Sequence, residues 1–237
     1  MTSKTQDGSV TSPAVGATTT AAMVVWGLLV TGCGGGEGSP PQLQTAEAPS
    51  WPISVKSTKM SGPDNSNQQW TLTYSSTPGG MATFNGQSTN TSVVSLTASE
   101  ETSTVGITVS TTEYYLSNPY SPLGVVGTTN GVPFTFLYTS YTPLPSTLTV
   151  GASGPLASGT YYDASGTVIG SLTQTYTVTA DSSTAVDLDI NAAGSLNGVP
   201  ETETLSYSIT ASGVATLNAA QLAINGTTVV LLRCCAP

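Results

Sequence analysis

Apolar side chains alternate with hydroxyl-bearing ones through most of this 237-residue chain, and a two-residue period leaves few folds open. Trp70, Leu72 and Tyr74 alternate with Thr71 and Thr73. Val105, Ile107 and Val109 alternate with Gly106, Thr108 and Ser110, and Phe134, Phe136 and Tyr138 with Thr135 and Thr139. Leu172, Tyr176 and Val178 are separated by Thr173, Thr175 and Thr177. Val186, Leu188 and Ile190 are separated by Asp187 and Asp189, and Leu205, Tyr207 and Ile209 by Ser206 and Ser208. Successive side chains of a strand point to opposite faces, so each segment is expected as a strand with one apolar and one water-facing side. Thr suits the outer side, being β-branched and able to bond water.

The punctuation agrees. Asn85-Gly86, Asn130-Gly131, Asn197-Gly198 and Asn225-Gly226 supply the positive φ angles of tight hairpins. Pro78-Gly79-Gly80, Ser165-Gly166 and Ser212-Gly213 are further expected breaks. No window carries a convincing helical stripe; Ala215 to Ile224 is left as a short helix or strands, and Asn90-Thr91-Ser92 is read as a turn. The expected fold is all-β, an antiparallel meander forming a sandwich or a full or half barrel. The expected layout is 1–32 as a leader, 33–50 as a flexible tether and 51–237 as one antiparallel β domain.

Composition removes several function classes. The chain has no His, which excludes Ser-His-Asp and Cys-His catalysis and His-ligated metals. Four basic against thirteen acidic residues give a net charge of −9, so nothing is available to neutralise nucleic-acid phosphates.

The N-terminal stretch Ala21 to Val30 is uncharged and apolar. It is too short to span a bilayer but matches the apolar region of a secretory leader. Val30-Thr31-Gly32-Cys33 follows, then Gly34-Gly35-Gly36 and a Gly/Ser/Pro run. This stretch resembles the lipobox and tether of bacterial lipoproteins. The region before the apolar run departs from the pattern: it is long, Thr-rich and carries only Lys4 as a positive charge. The resemblance implies cleavage before Cys33, lipidation of Cys33, and membrane attachment through acyl chains rather than a span. Gly34, standing where inner-membrane lipoproteins often carry Asp, implies the outer membrane rather than the inner. Residues from about Ser171 to Leu232 also resemble the sheet-rich bodies of uncharacterised Gly-tethered lipoproteins, a resemblance that brings no catalytic motif with it.

Candidate chemistry in the body is sparse. Asp187 and Asp189 share one strand face, expected to be solvated, as are Glu201 and Glu203; two carboxylates are too few for a Ca²⁺ site. Paired acids among Glu113, Asp163, Asp187, Glu201 and Glu203 could in principle hydrolyse glycosides. No motif around them implies a cleft. Tyr114, Tyr115, Tyr120, Tyr138, Tyr141, Tyr161 and Tyr162 cluster in the middle of the chain, with rings suited to sugar or peptide faces. Cys234 and Cys235 are read as terminal thiols. No catalytic residue, cofactor or metal ligand is assigned. The expectation is a non-enzymatic envelope lipoprotein for binding, adhesion or structure, its partners being the membrane and a surface glycan or protein. The alternatives are a carboxylate-based carbohydrate enzyme and a carrier holding an apolar ligand in a curved sheet.

Overall fold

The computed structural model describes residues 42–101, 106–224 and 227–233, with side chains described up to 223 outside the gap. Cys33, Cys234, Cys235 and Asn225-Gly226 lie outside the described residues. The strands are β1 (Thr45–Glu47), β2 (Val55–Pro63), β3 (Gln69–Phe84), β4 (Gln87–Glu100), β5 (Gly106–Ser117), β6 (Tyr120–Thr129) and β7 (Val132–Tyr141). They continue as β8 (Thr147–Thr149), β9 (Ser153–Asp163), β10 (Val168–Ala180), β11 (Ala185–Leu196), β12 (Val199–Thr210), β13 (Ala215–Ile224) and β14 (Thr227–Arg233). No helix is present among the described residues.

All but β1 and β8 form one closed antiparallel barrel in chain order, so the meander returns on itself. Closure is by β14 on β2, through Leu232 opposite Ser61 and Arg233 opposite Met60. The β7–β9 connection makes an excursion through β8. That strand pairs with β1 and forms a two-stranded cap, with Ala46 opposite Leu148. Backbone bonds from Leu43 to Ser182 and from Glu47 to Ala211 tie the cap to the barrel end. Ala46 and Leu148 are buried and belong to the main core. This corrects the tether boundary. Residues 45–47 pair and pack as part of the fold, because the cap gives their backbone a strand partner and Ala46 an apolar seat.

The period-two expectation holds in the register. Leu188 faces Tyr207, Ile190 faces Leu205 and Val186 faces Ile209 across β11 and β12. All six are buried, in one cluster with Leu72, Tyr74 and Leu96 from the opposite strands. A second cluster joins Val125, Phe134, Phe136, Tyr161, Leu172 and Leu196. Fully burying one such side chain stabilises by about 1.5–3 kcal/mol, so the inward set dominates the choice of register.

Asn85, Asn130 and Asn197 adopt positive φ, each followed by a positive-φ Gly, as two-residue hairpins require. Three other local expectations change. Pro78-Gly79-Gly80 does not end a strand; it is a bulge within β3, where the pairing with β4 shifts register. Ala215 to Ile224 is a single strand, held between β12 and β14. Asn90 lies inside β4, opposite Met81 and Tyr115, rather than in a turn. Gly159 shows how tightly the second cluster is built. A Cβ there would stand 2.2 Å from Phe136 Cζ and 2.5 Å from the Leu137 carbonyl oxygen.

Candidate functional site

Polar groups enter the barrel on the same inward faces as the core. On β5 the inward series is Val109, Thr111, Glu113 and Tyr115, all buried. On β12 the inward series runs Glu201, Glu203, Leu205, Tyr207 and Ile209. Glu113 is 2% exposed, Glu201 8% and Glu203 7%. The expectation that Glu201 and Glu203 face water is therefore overturned. They share the parity of Leu205, Tyr207 and Ile209, and strand geometry carries them inside.

Glu203 links the other two carboxyls, sharing one buried phenol with Glu113 and another with Glu201. Tyr74 is held above its ordinary range by burial first, then by the charges of Glu113 and Glu203. Tyr161 is raised by burial, Glu201 and Glu203, and Tyr207 by burial, Tyr74 and Glu203. Burial pushes Glu113 up to about 7, partly opposed by the hydroxyl of Tyr120, which donates to its Oε1 at 2.7 Å. Burial also pushes Glu201 up to about 7, and its Oε1 has no hydrogen-bond partner among the described residues. No cation offsets them there: Lys56 and Lys59, the two basic side chains described, are both exposed. A carboxyl taken out of water without a cation favours its neutral form.

A pocket of about 20 Å³ opens against Glu113. Its walls are Trp51, Tyr120, Tyr138 and Tyr141, its base Glu113 and Gln174, and its apolar side Leu156, Ala157 and Ile190. The Tyr120 ring organises the wall. It stacks on Trp51 at 6.2 Å, lies 5.3 Å from Tyr115 and meets Tyr141 edge-on at 5.4 Å. Such pairs contribute about 0.5–1.5 kcal/mol beyond area burial. Trp51 comes from the β1–β2 connection, and its buried Nε1 has no partner among the described residues. The volume suits about one water-sized group, since a water needs roughly 10–15 Å³ by the same kind of measure. Between β2 and β13 runs a wider groove of about 220 Å³, lined by Ser54, Lys56, Thr58 and Thr216 among others.

The other expected carboxylates behave differently. Asp163 ends β9 and closes the turn into β10, where it accepts from the Ser165 hydroxyl at 2.7 Å and from the backbone N–H of Thr167 at 2.9 Å; these bonds hold it below its ordinary value. Asp187 and Asp189 do lie on the outer face of β11, but they are not solvated as expected. Asp189 is 3% exposed and accepts from the Ser206 hydroxyl directly across on β12. Burial, then the charges of Asp181 and Asp189, push Asp187 up to about 6. No group of three or more Asp, Glu, Cys or His with metal-binding geometry occurs among the described residues. Of the expected Tyr cluster, Tyr120, Tyr138 and Tyr141 meet at the pocket, while Tyr114 stacks on Phe84 elsewhere, at 4.5 Å. No protein-family model matches the chain, and neither a curated protein nor a solved structure matches it.

Proposed function

We propose that this chain is a lipid-anchored protein of the bacterial cell envelope, in the outer membrane rather than the inner, whose barrel binds a partner and does not catalyse a reaction. The observation that carries the binding reading is the pocket of Trp51, Tyr120, Tyr138 and Tyr141 around Glu113, an aromatic wall with one buried carboxyl at its base. The anchor reading rests on the apolar run that ends at Val30-Thr31-Gly32-Cys33 and on the Gly-rich stretch behind it. The distribution of faces supports a body that stands in water: on β10, exposed Thr173, Thr175 and Thr179 alternate with buried Leu172, Tyr176 and Val178. A membrane-spanning barrel has the opposite arrangement, apolar outside and polar within. The partner would be a protein or glycan of the envelope or surface.

The two interior acids poised near neutrality, Glu113 and Glu201, favour a second reading, acid–base hydrolysis of a glycoside. Its difficulty is space, because ligand sites commonly measure about 300–1,000 Å³ and the pocket at Glu113 holds about 20 Å³. The deciding experiment for the main reading is the intact mass of protein extracted from membranes. The expected species begins at a Cys33 carrying acyl chains, and Cys33→Ala should release the body from the membrane fraction. An intact Met1 or an unmodified Cys33 would refute the anchor. Sugar release by the parent that is lost in Glu113→Gln would refute the non-enzymatic part.

A further inference from the structure

The pocket at Glu113 is specific in size, wall and charge, and together these select a ligand chemistry. Its volume of about 20 Å³ admits one group the size of water, which excludes a sugar ring or a trimethylammonium head in this geometry. Its wall is four aromatic rings, whose negative faces attract cations within about 6 Å. Its base holds a carboxyl that no described Lys or Arg side chain accompanies, beside the carboxamide of Gln174. Phenol oxygens, the carboxamide oxygen and the carboxylate are all acceptors, and a primary ammonium is a compact donor of three hydrogen bonds.

We propose that this pocket takes a primary ammonium group with Glu113 as its counter-ion, presented by a lysine side chain of a partner protein or by a free alkylamine. The inference rests on the reading of the barrel as a binding module and names the ligand of that module. The ammonium sits among the rings while its alkyl stem leaves past the half-buried Trp51 and Tyr141. Binding requires the ionised carboxylate, so below neutrality Glu113 must release a proton as the amine enters. The ionisable groups facing Glu113 are the phenols of Tyr74 on β3, Tyr115 on its own strand, Tyr120 on β6, and Tyr138 and Tyr141 on β7. Each is held up in its neutral form, which leaves Glu113 as the group that titrates.

The test is calorimetric titration of the full chain with n-butylamine and with Nα-acetyl-lysine methylamide, using n-butanol and butyltrimethylammonium as controls. Both amines should bind at least about tenfold more tightly than either control, and Glu113→Gln should remove about tenfold or more. Affinity should fall roughly tenfold per pH unit below 7, with proton release that differs between buffers of different ionisation enthalpy. Trp51→Leu, which changes the mouth and leaves the barrel strands untouched, should weaken binding several-fold even if Glu113→Gln does not fold. Tighter binding of the lysine derivative assigns the ammonium to a protein partner, and tighter binding of butylamine assigns it to a free amine. No amine binding, equal binding of either control, or full binding by a folded Glu113→Gln protein would overturn the inference. The anchored-barrel reading would survive that failure, because the mass of the Cys33 species decides it.

Discussion

Replacing Glu113 or Glu201 by Gln removes a site of proton uptake while keeping shape and volume, which makes the pH dependence of stability a direct probe of the barrel interior. Each carboxyl rises from an ordinary 4.5 to about 7 on folding, through burial. Between those values the folded protein holds the proton and the unfolded chain has lost it. The folded state then binds more protons, so stability must fall as pH rises from 4.5 to 7. At about 1.4 kcal/mol per pH unit, each group contributes about 3 kcal/mol, present in full below pH 4.5 and gone above pH 7. For a barrel of this size that is roughly 6–12 °C of melting temperature per carboxyl. Half-buried Asp187, pushed up to about 6, acts in the same direction. Asp163, held below its ordinary value by its turn hydrogen bonds, acts in the opposite direction and only on the acid side.

The assay is thermal and denaturant unfolding of the parent, Glu113→Gln, Glu201→Gln and the double variant from pH 4 to 8. The parent should melt highest near pH 4.5 and lowest above 7. Each single variant should lose somewhat over a third of that slope, and the double variant most of it, the remainder below pH 6 belonging to Asp187. A parent melt that stays level or climbs from pH 4.5 to 7 would refute the reasoning. So would single variants that keep the full parental slope.

Gly159→Ala should lower stability by about 1–3 kcal/mol, because its new methyl meets the Phe136 ring and the Leu137 carbonyl; a melt within 1 °C of the parent would show that β7 and β9 can part there. Tyr207→Ala should cost about 3–5 kcal/mol, since Tyr207 is 2% exposed, whereas exposed Thr175→Ala should stay within about 0.5 kcal/mol. Ser206→Ala should cost about 1–3 kcal/mol by stripping the buried Asp189 of its hydroxyl donor, and denaturant curves that superimpose on the parent would contradict that role.

The strands and most hairpins were legible because their signals are local. Alternation sets the faces, and Asn-Gly at 85, 130 and 197 sets positive φ. Ala215 to Ile224 was ambiguous because alanines such as Ala215, Ala219, Ala220 and Ala223 fall on both faces and blur the period. The pocket was not legible as a pocket, since Trp51 reaches it from a connection far in sequence from β6 and β7. The burial of Asp189 depends on Ser206 standing opposite it, which only the β11–β12 register discloses.

The interior acids are a different case, because their parity was in the sequence. Counting back by two from Leu205 reaches Glu203 and Glu201, and counting forward by two from Val109 reaches Thr111 and Glu113. Charge alone assigned these acids to water, and the energies show why that assignment fails. A one-residue slip of β12 would turn Glu201 and Glu203 outward, but it would also expose Leu205, Tyr207 and Ile209. At about 1.5–3 kcal/mol each, those three lose roughly 5–9 kcal/mol, and Thr202, Thr204 and Ser206 from the opposite face would have to fill the core in their place. The slip would also break the pairing of β12 with β11 and β13, whose inward residues, from Val186 to Leu222, are set by the same count. A strand cannot choose faces residue by residue. The apolar majority therefore decides, and the acids are carried into the barrel with it.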